Sequence, residues 1–279
     1  MNMISHKLKK YLKIPSMMSG KIYRSPYVLR FKNNSQEILL IGLKHNYIPN
    51  SPSIKNLDKQ IIGVLKTYKN IVVIGEKNIN RKEIKPSLKN IILKYGEAGL
   101  LAWRAKEFDK SYICPEPAMG DILNLTKGDG YNKKEIAIWA IANVLAFGSE
   151  NKEKKIDGFL SDFIDRGKNR KKLASKSIYL KVGLEKIKKI TGRYKLKNLR
   201  DWILASNKKR LHNHLKKISS PFEKGTTINK TAMAIELNRD FLIANKIVKI
   251  VKSGISVVGA YGINHIIAQE PIFRKILEK

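Results

Sequence analysis

Two apolar runs near opposite ends of the chain each close on a glycine and reach a histidine three residues later. The first, Ile38-Leu39-Leu40-Ile41-Gly42, leads to His45, and the last, 255–258 extended through Gly259-Ala260-Tyr261-Gly262, leads to His265. Short runs of β-branched and aliphatic residues bounded by glycine predict strands. Their near-continuous apolarity predicts parallel strands buried on both faces. Between them, a turn-rich patch at 45–52 gives way to a helical pattern opened by Ser53, with Ile54, Leu57, Ile61 and Leu65 on one face. A second apolar run, Ile71-Val72-Val73-Ile74-Gly75, follows, and this β-α-β spacing predicts a right-handed parallel crossover.

Further on, the pattern predicts helices over 86–95 and 96–110, a short strand at 111–114 ended by Pro115 and Pro117, and an apolar helix over 133–147. Helical periodicity continues at 159–164, 178–190 and 199–211. A loop over 219–229 precedes a long helix over 231–252, with Thr231 as N-cap and Gly254 just past its end. An early edge strand at 27–31 and a terminal helix complete the picture. The expected fold is α/β (α+β): a small central mixed or mostly parallel sheet flanked by helices, with a basic helical insertion. The expected organisation is a basic N-terminal arm and edge strand over 1–37, the first half of the core over 38–150, a basic helical insertion or cap over 151–225, and the second half of the core over 226–279.

Charge changes this picture in one place. The chain of 279 residues carries a formal net charge of +33, yet Lys outnumbers Arg 45 to 11. Such a balance is what an AT-rich coding sequence imposes on solvated surfaces, and bidentate readers of phosphate and guanine are usually arginines. Residues 151–217 nevertheless hold 22 Lys or Arg against 6 Asp or Glu, so this segment is a candidate surface for nucleic acid or another anionic surface. The first 36 residues contain no acid and lack the long apolar core of a secretory signal. No apolar stretch approaches the roughly 18 residues of a membrane span. With Cys114 the single cysteine, a cytoplasmic protein without disulfides is expected. The oligomeric state is left open.

Candidate chemistry collects at strand ends. Glu76 directly follows the second strand and Glu116 the third, as His45 and His265 follow the first and last. The carboxyl edge of an open α/β sheet is where ligands bind. Imidazole and carboxylate together bind a divalent ion and leave positions for water. Arg239, in the long helix, admits two readings: an ion pair with Glu236 on a solvated face, or an anchor for an anionic group or for Glu76. His212 and His214 fit a surface helix, and His6, in the arm, has no assigned role.

The assembled set resembles the TraB/PrgY and TIKI group, itself similar to the erythromycin-esterase and ChaN-like superfamily. The matching elements are Gly42-Leu43-Lys44-His45, Glu76 with Arg81 five residues on, Glu97-Ala98 at a helix start, Glu116, Arg239-Asp240, and Tyr261-Gly262-Ile263-Asn264-His265. They cover 38–125 and 229–275. The chain departs from the pattern at Asn238, where the family often has Glu, and at Glu116, where Asp is usual.

The resemblance implies a sheet-edge site with a divalent metal ion held by His45, His265 and Glu76. It assigns Glu76, Arg239 and Glu116 to catalysis and Arg81, Asp240 and Tyr261 to a peptide or small-molecule substrate. The implied activity is metal-dependent hydrolysis of a peptide or ester-like bond, as in the TIKI branch. The alternative is a non-catalytic, peptide-binding regulator of the TraB/PrgY kind.

Overall fold

A computed structural model describes residues 8–14, 23–32, 35–84, 87–148, 150–164, 171–192 and 196–277. His6 lies outside them. The chain divides into two units: among the described residues the first comprises 8–14, 23–117 and 239–277, and the second 118–238.

The first unit is built on a five-stranded sheet. Its strands are β1 (Tyr27–Lys32), β2 (Glu37–Leu43), β3 (Ile71–Gly75), β4 (Ser111–Ile113) and β5 (Ser256–Gly262), in the order β1-β2-β5-β3-β4. β1 is antiparallel to β2, and every other neighbouring pair is parallel. The expected mixed, mostly parallel sheet is therefore present. The two histidine-bearing strands are neighbours, registered from Ile38 opposite Val257 to Leu43 opposite Gly262.

Helix α1 (Pro52–Thr67) begins where Ser51 accepts a hydrogen bond from the Ile54 amide and Pro52 fits the first turn. It buries Ile54, Leu57, Ile61, Val64 and Leu65. With α3 (Glu97–Glu107), it covers one sheet face, where Leu39, Ile41, Val73, Val258 and Ala260 point into a shared core. Between them lies the short α2 (Leu88–Tyr95). The terminal helix α11 (Ile263–Leu277) packs against β1, β2 and β5. The arm is not simply solvated: Leu12 is buried, the Lys13 amide donates to the Ala268 carbonyl, and the Lys13 ammonium and Tyr27 hydroxyl both reach Glu270.

The second unit is helical among its described residues. It holds α4 (Met119–Gly128), α5 (Lys133–Phe147), α6 (Lys152–Ile164), α7 (Lys171–Thr191), α8 (Leu199–Ser206), α9 (Lys209–Ser219) and the start of α10 (Thr227–Lys252). This unit is wider than the 151–225 insertion expected from charge. The cause is α5: it is apolar on all sides and is covered by α6, α7, α8 and α9. Charge marks only where the outer faces become basic.

Two local expectations also shift. The helix expected over 199–211 breaks into α8 and α9 at Asn207 and Lys208, and α10 starts at Thr227, before Thr231. There the Thr226 hydroxyl accepts from the Asn229 amide, whereas Thr231 lies inside the helix and donates back to the Thr227 carbonyl. No helix of the described residues is long and apolar enough to cross a membrane.

Candidate active site

The parallel register brings the carboxyl ends of β2, β5 and β3 side by side, and the groups just past them converge. Gly262 marks the meeting point. A Cβ built on it would lie 3.3 Å from His265 Cδ2 and 3.7 Å from both Glu76 Oε2 and His45 Nε2. His45 Nε2 itself stands 3.7 Å from Glu76 Oε2.

His45 is held from behind. After β2 the chain is pinned by Asn46, whose side-chain amide donates to Ser51 and Ser53 while its carbonyl accepts from the Ile48 amide. Gly96 separates α2 from α3 with φ +63°, and a Cβ there would come within 3.0 Å of the Asn46 carbonyl. Glycine is suited to both the backbone conformation and the close approach. This junction starts α3 on Glu97, which bonds His45 Nδ1 with one oxygen and accepts the Asn46 amide, at 3.2 Å, with the other. The bond to Glu97 holds the His45 imidazole above its ordinary pKa of 6.5. Burial pushes Glu97 upward, but the bonds from His45 and Asn46 outweigh it and hold the carboxyl below its ordinary value.

The second histidine is held the same way by a different element. His265 Nδ1 lies 2.9 Å from Asp240 Oδ1, which also accepts from Gln269 at 2.7 Å. His265 Nε2 is 3.1 Å from Arg239 Nη1. A guanidinium only donates, so Nε2 accepts and the proton sits on Nδ1, facing Asp240. Arg239 also grips Glu116 with two 2.8 Å bonds and reaches Glu76 Oε1 at 3.3 Å. The reading of Arg239 as an anchor for Glu76 is seen in this contact.

The structure thus brings together His45, Glu76, Glu116, Arg239 and His265. Asp240 is close by, buried and bonded to His265 and Gln269, so it supports the imidazole. Tyr261 is buried on β5, its hydroxyl without a hydrogen-bond partner among the described residues, and burial holds its pKa well above 10.0. Arg81 is not part of the cluster: it sits in an exposed turn, paired with Asp109. Two members had no assigned role in the sequence reading, Glu97 and Gln269. A strand-end search finds neither, because both act from helices; the Glu97-Ala98 helix start was the one available signal.

The donor set fits a divalent ion in part. Two ligands bound at about 2.1 Å to one tetrahedral ion stand about 3.4 Å apart, close to the 3.7 Å between His45 Nε2 and Glu76 Oε2. Glu97 on Nδ1 supplies the carboxylate that commonly orients a ligating imidazole. His265 does not join this pair, since its Nε2 is turned to Arg239. The expected trio is thereby divided. The rim collects Glu76, Glu97, Glu116 and Asp240, four of only 23 acids in a strongly basic chain, an arrangement that favours a cation. No family model matches the chain, and no curated protein or solved structure matches it significantly.

Proposed function

We propose that this rim is the active site of a metal-dependent hydrolase acting on a peptide or ester-like bond. The observation that carries the reading is His45 Nε2 facing Glu76 Oε2 at 3.7 Å, with Nδ1 held by Glu97. His45 and Glu76 would hold the divalent ion. When bound, such an ion supplies a nucleophilic water of lowered pKa and polarises the carbonyl under attack.

The chain's own groups set the frame for that chemistry. Glu76 is the carboxylate with capacity left: its contacts are 3.2 to 3.7 Å long, against 2.8 Å for both bonds at Glu116. It is therefore the oxygen pair suited to ligation or to taking a proton from water. Arg239 is committed to Glu116, Glu76 and His265, so its role is positioning the rim.

Elemental analysis of purified protein tests the reading. Wild type is expected to carry about one divalent ion per chain and His45→Ala to lose it. A full equivalent retained by His45→Ala/Glu76→Gln would overturn it. The second reading, a peptide-binding regulator without catalysis, draws on the Arg239 contact to His265. It predicts peptide binding unchanged by chelator.

A further inference from the structure

Helix α9 carries a cationic outer face over a buried apolar stripe. Its inner stripe, Leu211, Leu215 and Ile218, is buried in the second unit, and the Asn229 side chain donates to the Lys217 and Ser220 carbonyls at its end. The outer face carries Lys209, Arg210, His212, Asn213, Lys216 and Lys217. The 16 residues Asn207 to Phe222 contain no acid. Among the described residues Lys209, Arg210, Lys216 and Lys217 form no ion pair with a carboxylate, as is common in a chain with 56 Lys or Arg against 23 Asp or Glu.

Fold stability does not account for this placement. Lys209 and Arg210 occupy the first turn, where the helix dipole favours acids, and that turn holds no acidic residue. A local rule broken without structural gain points to function. The spacing is specific as well. Lys209 with Lys216, and Arg210 with Lys217, are seven residues apart, so each pair lies on one face about 10.5 Å apart along the axis. Along the axis of a duplex that distance corresponds to about three steps of one strand at a rise of roughly 3.4 Å each.

We propose that the outer face of α9 binds the phosphate backbone of nucleic acid without sequence preference. Lysine suits this role, because backbone contacts need charge and not a bidentate base reader. Phe147, 57% exposed, lies 5.8 Å from the Lys216 ammonium and adds an aromatic face beside the cations. A lipid surface is the poorer fit: an interfacial helix needs exposed apolar side chains to insert, and those of α9 are all buried.

The test is fluorescence anisotropy with a labelled mixed-sequence duplex of about 20 base pairs. With four phosphate contacts, wild-type affinity is expected to fall about 150-fold between 50 and 200 mM salt. Replacing Lys209, Arg210, Lys216 and Lys217 by Ala should cost at least about 10-fold at low salt. A control of equal charge change, with the exposed Lys55, Lys59, Lys66 and Lys69 replaced by Ala, should cost less than about 3-fold if binding is local to α9.

Equal losses in the two variants would overturn the proposal in favour of bulk charge, and so would no wild-type binding at 50 mM salt. If the fourfold α9 variant fails to fold, Lys216→Gln/Lys217→Gln decides: it must make the salt dependence shallower, and an unchanged slope refutes the proposal. Vesicles of anionic lipid run in parallel must bind more weakly than duplex; α9-dependent vesicle binding with duplex ignored would replace nucleic acid by a membrane.

Discussion

Arg239 forks onto Glu116, its Nε and Nη2 each 2.8 Å from a carboxylate oxygen. The same side chain reaches Glu76 and His265, so one residue of α10 fixes groups that follow three different strands. Lysine keeps the charge but has no planar fork. Arg239→Lys is expected to destabilise the first unit by about 1–3 kcal/mol, toward the lower end because both partners are partly exposed. Urea unfolding of Arg239→Lys, Glu116→Gln and the double variant measures the coupling. Additivity within about 0.3 kcal/mol would show that the fork contributes nothing.

The His45 and Glu97 pair predicts a stability window in pH. His45 has a folded pKa above 6.5, so its contribution is full below that value and is lost as pH rises through the folded pKa. Glu97 has a folded pKa below 4.5, so its contribution is present above that value and is lost as pH falls through the folded pKa. The pair therefore supports the fold most between roughly pH 4.5 and 6.5. Glu97→Gln should bring the His45 titration, followed by NMR, down toward 6.5. An unmoved His45 curve would show that Glu97 does not set it.

The sheet and the rim were legible because a parallel strand buried on both faces has an unmistakable apolar signature and a defined carboxyl end. His45, Glu76 and His265 follow from that rule, whereas Glu116 follows a short edge strand that is only partly buried and was marked by the prolines that end it. Arg239 was not legible in this way, since a helix position reads equally well as a solvated ion pair until its partner strand is placed. The roles of Glu97 and Gln269 went unassigned for the same reason: each acts through a second residue across more than 25 positions of sequence. The extent of the helical unit was obscured because α5 is apolar all round, a pattern that does not say whether sheet or helices will cover it.

Tyr261 offers a test of whether its hydroxyl serves the site or merely burdens the core. A buried hydroxyl without a partner costs about 1–3 kcal/mol. Tyr261→Phe should therefore leave stability unchanged or raise it by up to about 2 kcal/mol, read by urea unfolding. A loss of more than about 1 kcal/mol would mean that the hydroxyl makes a stabilising bond.

Two glycines of β5, three residues apart, should respond oppositely to alanine. At Gly259 a Cβ would fall 2.2 Å from Ile74 Cγ1 and 2.7 Å from the Ile74 carbonyl oxygen. The side chain could turn away, but the carbonyl belongs to β3, paired with β5 at that position. Gly259→Ala should open the centre of the sheet and cost about 3 kcal/mol or more. At Gly262 the nearest atom is His265 Cδ2 at 3.3 Å, and the others stand at 3.7 Å. The imidazole edge need give only slightly, and the Gly262 amide bond to Glu76 survives the change. Gly262→Ala should therefore unfold within about 1 kcal/mol of wild type. Its methyl would nonetheless sit on the floor between His45, Glu76 and His265, and divalent-ion affinity should fall at least about 10-fold, as for other disturbed ligand surroundings. Calorimetric titration with Mn²⁺ or Zn²⁺, alongside thermal unfolding, separates the two effects. A Gly262→Ala protein that binds the ion as wild type does would remove this floor from the site.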